Sequence, residues 1–453
     1  MFVKRICPAQ IKDDFVLPIS SAEFSALMTK IETFCFAGEG IAVAVSGGAD
    51  SSALMELMRE WSLENKTKLF ILTVDHKLRT SSRREALAIR EYCLNIGLEH
   101  HLLEWFGEKP KSGVQAAART ARYNLMRDWC RERSVQTIMV GHTIEDQAET
   151  FLLRMSRGSG ARGLSGMPLV STSGGINIVR PLLGISRQRL LATLKTKSIR
   201  WIDDPSNVDC QFERVKIREK TIKLRENQIS PSSIAAVARV FGELRALRDR
   251  DNVRILNSIG KFHDEGFIDV DRNQLFNLNV EKASRFILAS LIEVGGIYYP
   301  PRRKRLQRLM NSLESSGIVK ATLGGCIIVS NKNRLRIFRE FNTISDVRQV
   351  NADCVITWDG RFLVSFKSKL REHTYQIGAL GKLGWQSISN VMRDNRSLPP
   401  GPVRVGLPAI WKNNKVIEVP HLDFVSREAE SSCIKKISFL SRSNLKSMPF
   451  WVA

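Results

Sequence analysis

The chain is 453 residues long, too long for one compact core and enough for about two to four domains. Its 43% hydrophobic and 25% charged content is ordinary for a globular protein, but 69 Lys and Arg against 46 Asp and Glu leave a net charge of +23. That field draws a polyanion, nucleic acid first and an anionic membrane surface second. The eight cysteines (Cys7, Cys35, Cys93, Cys130, Cys210, Cys326, Cys354 and Cys433) form no CxxC pair. Their scatter argues against a disulfide framework or a zinc site and fits a reducing compartment. Residues 1–20 lack a secretion signal's apolar run, and the longest uncharged stretch, Gly163 to Val179, is Gly- and Ser-rich and contains Pro168. The expectation is a cytoplasmic protein with no membrane partner.

In chain order, Ile41 to Val45 is a β-branched run followed by a Gly turn and helical spacing over Ala53 to Trp61. Leu69 to Val74 predicts a second strand and Ser82 to Leu94 a charged helix. His101 to Trp105 predicts a third strand, Val114 to Arg133 a helix, Thr137 to Val140 a fourth strand and Glu145 to Arg154 a helix. Repeated strand–helix units predict an α/β fold with an N-terminal doubly wound parallel sheet, whose ligands sit at the C-terminal ends of the strands. Residues 211–310 read mostly as basic helices, Val319 to Phe338 as β-rich around Gly324-Gly325, and the region from Thr357 as a small mixed module. The expected domains are 1–215, catalytic; 216–345, mainly helical and basic; and 346–453, a small α/β C-terminal domain.

The sharpest local pattern is Ser46-Gly47-Gly48-Ala49-Asp50-Ser51 between the first strand and its helix. Small residues let backbone amides approach an anion, the helix N-terminus adds partial positive charge, and the serine hydroxyls can donate to phosphate. Asp50 suits that place if a divalent cation bridges carboxylate and phosphate, which makes Mg²⁺ a natural inference. The plain alternative is a Gly-containing turn with Asp and Ser as helix caps.

The string SGGADS resembles the SGGxDS loop of the PP-loop ATP pyrophosphatases, which split ATP into AMP and pyrophosphate; no Walker A string occurs. Within that superfamily the chain resembles the tRNA(Ile)-lysidine synthase family. The resemblance rests on Val74-Asp75-His76-Lys77-Leu78-Arg79, on Gln115 to Tyr123 with Arg119 and Arg122, and on Gly141 to Thr150. It continues through Arg157-Gly158-Ser159-Gly160, Arg180 to Leu183 and Asp204 to Asn207, covering roughly residues 40–220. Glu145 stands where the family has Asp, and Arg214-Val215-Lys216-Ile217-Arg218 replaces an Arg-Asn-x-x-Arg string. The resemblance implies an ATP- and Mg²⁺-dependent ligase that joins free L-lysine to the wobble cytidine of a CAU-anticodon tRNA(Ile). A homodimer stays open.

The resemblance places Ser46, Gly47, Gly48, Ala49, Asp50, Ser51, Asp75 and His76 at the nucleotide. Asp50, Asp146, His142 and Arg119 are the expected catalytic residues, and Asp50 with Asp146 the metal ligands. Without the resemblance, His142, Glu145, Asp146 and Glu149 crowd a strand end and a helix's first turn, where acids also simply complement the helix dipole. Arg119 and Arg122 share a helix face and could clamp phosphate or the target nucleotide. RNA-backbone contact is expected from Arg122, Arg157, Arg214, Arg218, Arg302 and Arg303. Gly158 to Gly163 is expected to be a flexible loop near the site. The rival readings are a tRNA thiolase of the same superfamily and a non-catalytic RNA-binding protein.

Overall fold

The structure is a computed structural model that describes residues 16–32, 38–78, 82–107, 109–110, 112–202, 213–297, 300–315, 319–367, 375–393, 398–427, 429, 431–441 and 445. It divides into two compact units at Arg245/Ala246.

The first unit is a six-stranded sheet in the order β3-β2-β1-β4-β6-β5. Its strands are β1 (Ile41–Ala44), β2 (Leu69–Asp75), β3 (Glu99–Glu104), β4 (Thr137–Val140), β5 (Val170–Ser173) and β6 (Ile176–Val179). All neighbours pair parallel except β5, which closes the edge antiparallel to β6. Helices α1 (Ser21–Thr29), α2 (Ala49–Glu64), α3 (Ser82–Asn95), α4 (Val114–Glu132), α5 (Ile144–Ser156), α6 (Ala161–Leu164) and α7 (Arg187–Thr196) accompany the strands.

Alternation along each strand fills two hydrophobic layers. Ile41, Val43, Ile71, Met139 and Val179 pack with α1, α2 and α7, while Ala42, Phe70, Ile138 and Ile178 pack with Met126 and Trp129 of α4. Covering both faces is what lets these strands read as continuous apolar runs. The expected strands and helices appear at their places, with α2 beginning at Ala49 and β3 two residues early. The β5–β6 hairpin falls inside the stretch that reads as a Gly- and Ser-rich connection. Of Gly158 to Gly163, expected as a loop, the part from Ala161 forms the short α6, and Arg154 donates to the Gly163 and Gly166 carbonyls at 2.8 and 2.7 Å.

Two further helices, α8 (Glu213–Glu226) and α9 (Pro231–Ile259), follow. Ile234 and Ala238 of α9 form a satellite core with Ala148 and Phe151 of α5.

The second unit continues from Ala246. An antiparallel sheet β7-β8-β11-β10-β9 is built from β7 (Gly260–His263), β8 (Phe267–Asp271), β9 (Val319–Leu323), β10 (Cys326–Ser330) and β11 (Arg334–Arg339). Helices α10 (Arg272–Asn277), α11 (Val280–Gly295) and α12 (Arg303–Ser315) supply its core with Phe286, Ile287 and Leu313. The pair β7 and β8 interrupts the segment expected to be helical, because Phe262, Ile268 and Val270 bury their apolar side chains in the core that α11 shares. Two small antiparallel sheets lie further along, β12-β15-β16-β17-β18 and β13-β14-β19. Their strands are β12 (Arg348–Val350), β13 (Val355–Trp358), β14 (Phe362–Phe366), β15 (Tyr375–Ala379), β16 (Pro408–Lys412), β17 (Lys415–Val419), β18 (Phe424–Val425) and β19 (Ile434–Phe439). No helix among the described residues is long and apolar enough to cross a membrane.

Candidate active site

The Ser46–Ser51 loop leaves the C-terminal end of β1, a central strand, and turns directly into α2. Gly47 takes φ +87°, for which the turn requires glycine, and a Cβ on it would stand 2.9 Å from Ile202 Cδ1, a side-chain end that would have to shift. Ser51 Oγ donates to the Gly48 carbonyl at 2.9 Å and accepts from the Ser46 amide at 3.2 Å, while Ser46 Oγ lies 3.3 Å away. These bonds hold the loop closed on itself. Gly48 is the N-cap and brings no side chain to the first amides of α2, which therefore face the loop's mouth with the positive end of the dipole.

Asp50 stands at this helix start. Burial pushes its carboxyl up to about 6; Arg187 opposes the shift, and the carboxylates of Asp146 and Glu145 add to it. Its Oδ1 is buried without a hydrogen-bond partner among the described residues, and Arg187 Nε reaches it only at 3.5 Å. A desolvated carboxylate facing other carboxylates suits a cation or a proton. No cluster of three or more His, Cys, Asp or Glu that could hold a metal occurs among the described residues.

Asp146 belongs to a capping box at the start of α5: its Oδ2 accepts from the Thr143 amide at 3.0 Å and lies 3.3 Å from Thr143 Oγ1. Glu145 accepts from the Arg187 amide at 3.0 Å. Glu149 is buried and takes Arg218 Nε at 2.6 Å, so the Arg218 guanidinium, expected at the RNA, is turned inward onto this acidic group. The shorter side chain of Asp146 caps its own helix, whereas the longer Glu145 and Glu149 reach neighbouring elements.

The other wall is cationic. His142 is buried, its Nδ1 has no hydrogen-bond partner among the described residues, and desolvation holds the imidazole neutral. Arg119 and Arg122 flank the Tyr123 ring, each 5.2 Å from its centroid. Burial alone would raise the Tyr123 phenol, yet Arg122, Arg119 and Arg180 together hold it below its ordinary value. Arg180 is itself buried, donating from Nη1 to the Pro168 carbonyl at 2.9 Å and to Ser171 Oγ at 3.1 Å.

The expected nucleotide residues Asp75 and His76 close β2. Asp75 Oδ1 accepts from the Lys77 amide at 2.8 Å and from Ser82 Oγ at 2.7 Å, so its carboxylate shapes the loop. His76 is pushed down by burial and by Arg122. Arg157 is exposed past α5, and Arg302 and Arg303 are exposed at the start of α12 in the second unit. Arg79, Asp204 to Asn207 and the side chain of Arg214 lie outside the described residues. Tyr123 closes the Gln115–Tyr123 string without a role of its own there, and Arg187 belongs to none of the motifs.

A glycine turn at the end of a central strand, an open helix N-terminus and a desolvated Asp50 define a nucleotide-binding α/β domain of the PP-loop class, and residues 19–225 match the family described as PP-loop domain. The chain is 32% identical to the tRNA(Ile)-lysidine synthase of Wolbachia pipientis wMel, over 92% of this chain and 96% of that one. It is also 32% identical to the tRNA(Ile)-lysidine synthase of Ruegeria pomeroyi, over 84% of this chain and 88% of that one. The chain belongs to the tRNA(Ile)-lysidine synthase family. A solved U34-tRNA thiolase, NcsA from Methanococcus maripaludis, aligns at 16% identity and a TM-score of 0.42 over 49% of this chain and 78% of that one, too loosely to bear on function. Burial pushes the thiols of Cys93 and Cys433 up to about 11 and those of Cys130 and Cys326 to about 12, so none of these four is poised as a thiolate.

Proposed function

We propose that the enzyme uses ATP to join the ε-amine of free L-lysine to C2 of the wobble cytidine of a CAU-anticodon tRNA(Ile). Family membership over nearly the whole chain is the observation that carries this reading. The cytidine O2 attacks the α-phosphorus of ATP and pyrophosphate leaves. The lysine amine then attacks C2, AMP departs with the O2 oxygen, and the amine loses a proton. The amide-like carbonyl is a poor electrophile, and adenylation turns its oxygen into a leaving group.

The loop amides, Ser46 and Ser51 receive the phosphates of ATP, whose charge is concentrated where the α2 dipole is positive. Arg119 and Arg122 hold the incoming nucleotide or its phosphate. Neutral His142 offers a hydrogen bond without adding charge beside Arg119, Arg122 and Arg180. Asp50 and Asp146 would hold Mg²⁺, which lowers the charge on the phosphates when bound. Asp50 Oδ1, which takes no hydrogen bond among the described residues, fits that role. So does a site with few protein carboxylates, because Mg²⁺ keeps waters and substrate oxygens in its shell.

The test is pyrophosphate release with lysine, using CAU-anticodon tRNA(Ile) and a wobble-uridine variant of it. Release with the first alone, with lysine entering the RNA, is expected. Pyrophosphate release without lysine incorporation would overturn the ligase reading.

A further inference from the structure

Beside the site the sheet presents a small aromatic and cationic platform that the reaction above does not use. Phe106, two residues past the end of β3, is 70% exposed. Lys77 Nζ lies 3.9 Å from its ring centroid and is held there by Glu104 Oε2 at 3.3 Å. The neighbouring Trp105 carries Lys109 Nζ 3.7 Å from its own centroid, and that ammonium also donates to the Trp105 carbonyl at 2.7 Å. His76 meets Trp105 edge-on at 6.1 Å.

The arrangement is built from the buried end of β2. Asp75 fixes Lys77 through its amide at 2.8 Å, with Lys77 in the left-handed region at φ +52°, and the Asp75 carbonyl accepts from the Trp105 amide at 2.9 Å. A single exposed Phe is ordinary on a protein surface. This one carries Lys77 over its face and adjoins the Lys109–Trp105 pair, at the C-terminal edge of a parallel sheet, where such folds place ligands.

We propose that Phe106 is a stacking platform for an unpaired base of the RNA substrate, a neighbour of the base that reacts, with Lys77 and Lys109 meeting the adjoining phosphates. Single-stranded RNA is held in this way, by stacking on aromatic faces within a cationic surface. A protein partner would want a broad apolar patch, whereas here one exposed ring is paired with Lys77 and stands beside the Lys109–Trp105 pair. In the strand order β3-β2-β1 the platform and the Ser46 loop are two strand spacings apart, about 10 Å, a span that a nucleotide or two of loop can cross. The inference rests on the RNA-substrate reading given above.

Its test uses the full-length protein and an anticodon stem–loop carrying 2-aminopurine at a position flanking the wobble base. With no ATP present, binding is expected to quench the probe, Phe106→Leu to abolish the quench, and Phe106→Trp to restore it. Phe106→Leu should also raise the KM for tRNA about tenfold or more, with the ATP KM and the Tm unchanged. An equal quench and an equal tRNA KM in wild type and Phe106→Leu would overturn the platform, as would loss of binding to another protein without loss of binding to the stem–loop. A Phe106-dependent quench in a protein that never joins lysine to RNA would uphold the platform and defeat the ligase reading, so the two failures are separable.

Discussion

Gly141 packs against the backbone of Asp50: a Cβ on Gly141 would stand 2.8 Å from the Asp50 carbonyl oxygen and 3.2 Å from the Ser51 Cα. The end of β4 thus presses on the first turn of α2 and sets where the loop's mouth opens. Those neighbours are backbone atoms and cannot swing aside. Gly141→Ala is expected to cost about 1–3 kcal/mol of stability as overpacking. It should also raise the ATP KM roughly tenfold or more by displacing the phosphate-facing amides. Thermal melts and ATP titrations check both numbers.

Asp50 links stability to pH with an unusual sign. Its folded value of about 6 lies above the ordinary 3.8, so between those values the native state binds more protons than the unfolded one, and stability falls as pH rises through that window. The strain at neutral pH is at most about 3 kcal/mol. Asp50→Asn should therefore raise the Tm of the metal- and nucleotide-free protein at pH 7–8. The gain should vanish near pH 4, while pyrophosphate release drops on the order of a hundredfold. A Tm gain that is the same at both pH values would contradict the assignment.

His142 acts in the opposite sense. Its folded value lies below the ordinary 6.5, so its neutral form contributes stability that is complete above 6.5 and is lost as pH falls toward the folded value. His100 and His421, held near 4 chiefly by burial, act alike. Nitrogen NMR of His142 at pH 6 should report a neutral ring, and His142→Gln should flatten the acid limb of the stability curve. A charged imidazole at pH 6 would overturn the neutral-donor role.

Arg218 separates structure from recognition. Removing it leaves the buried Glu149 carboxylate without its 2.6 Å partner. Arg218→Ala should lower stability by about 2–4 kcal/mol, and Glu149→Gln in the same chain should recover much of the loss. A residue that only contacts RNA would leave the melt unchanged and raise the KM for tRNA.

Much of the first unit could be read from the sequence because its cues are local. Ile41 to Val45 followed by SGGADS announces strand, turn and helix within about twenty residues. The β5–β6 hairpin was missed although Ser173-Gly174-Gly175-Ile176 carries a two-residue turn signal, because serines and threonines on β5 masked the alternation. Arg187 could not be found at all. It reaches Asp50 only because the turn after Leu183 delivers the start of α7 to the start of α2, a contact across 137 residues that leaves no periodic trace. The Arg218–Glu149 pair leaves no trace in the basic string, because the buried acid that Arg218 meets lies 69 residues earlier in the chain.

Ile234 and Ala238 of α9 cover Ala148 and Phe151, with Leu224 and Phe241 alongside. The family match ends at residue 225, whereas the compact catalytic unit runs to Arg245. A fragment trimmed to the match would bare the flank of α5, the helix that carries Glu145, Asp146 and Glu149, to water. Such a piece would clump before it could be assayed, so the shortest catalytic fragment worth making is set by that greasy seam and extends to about Arg245.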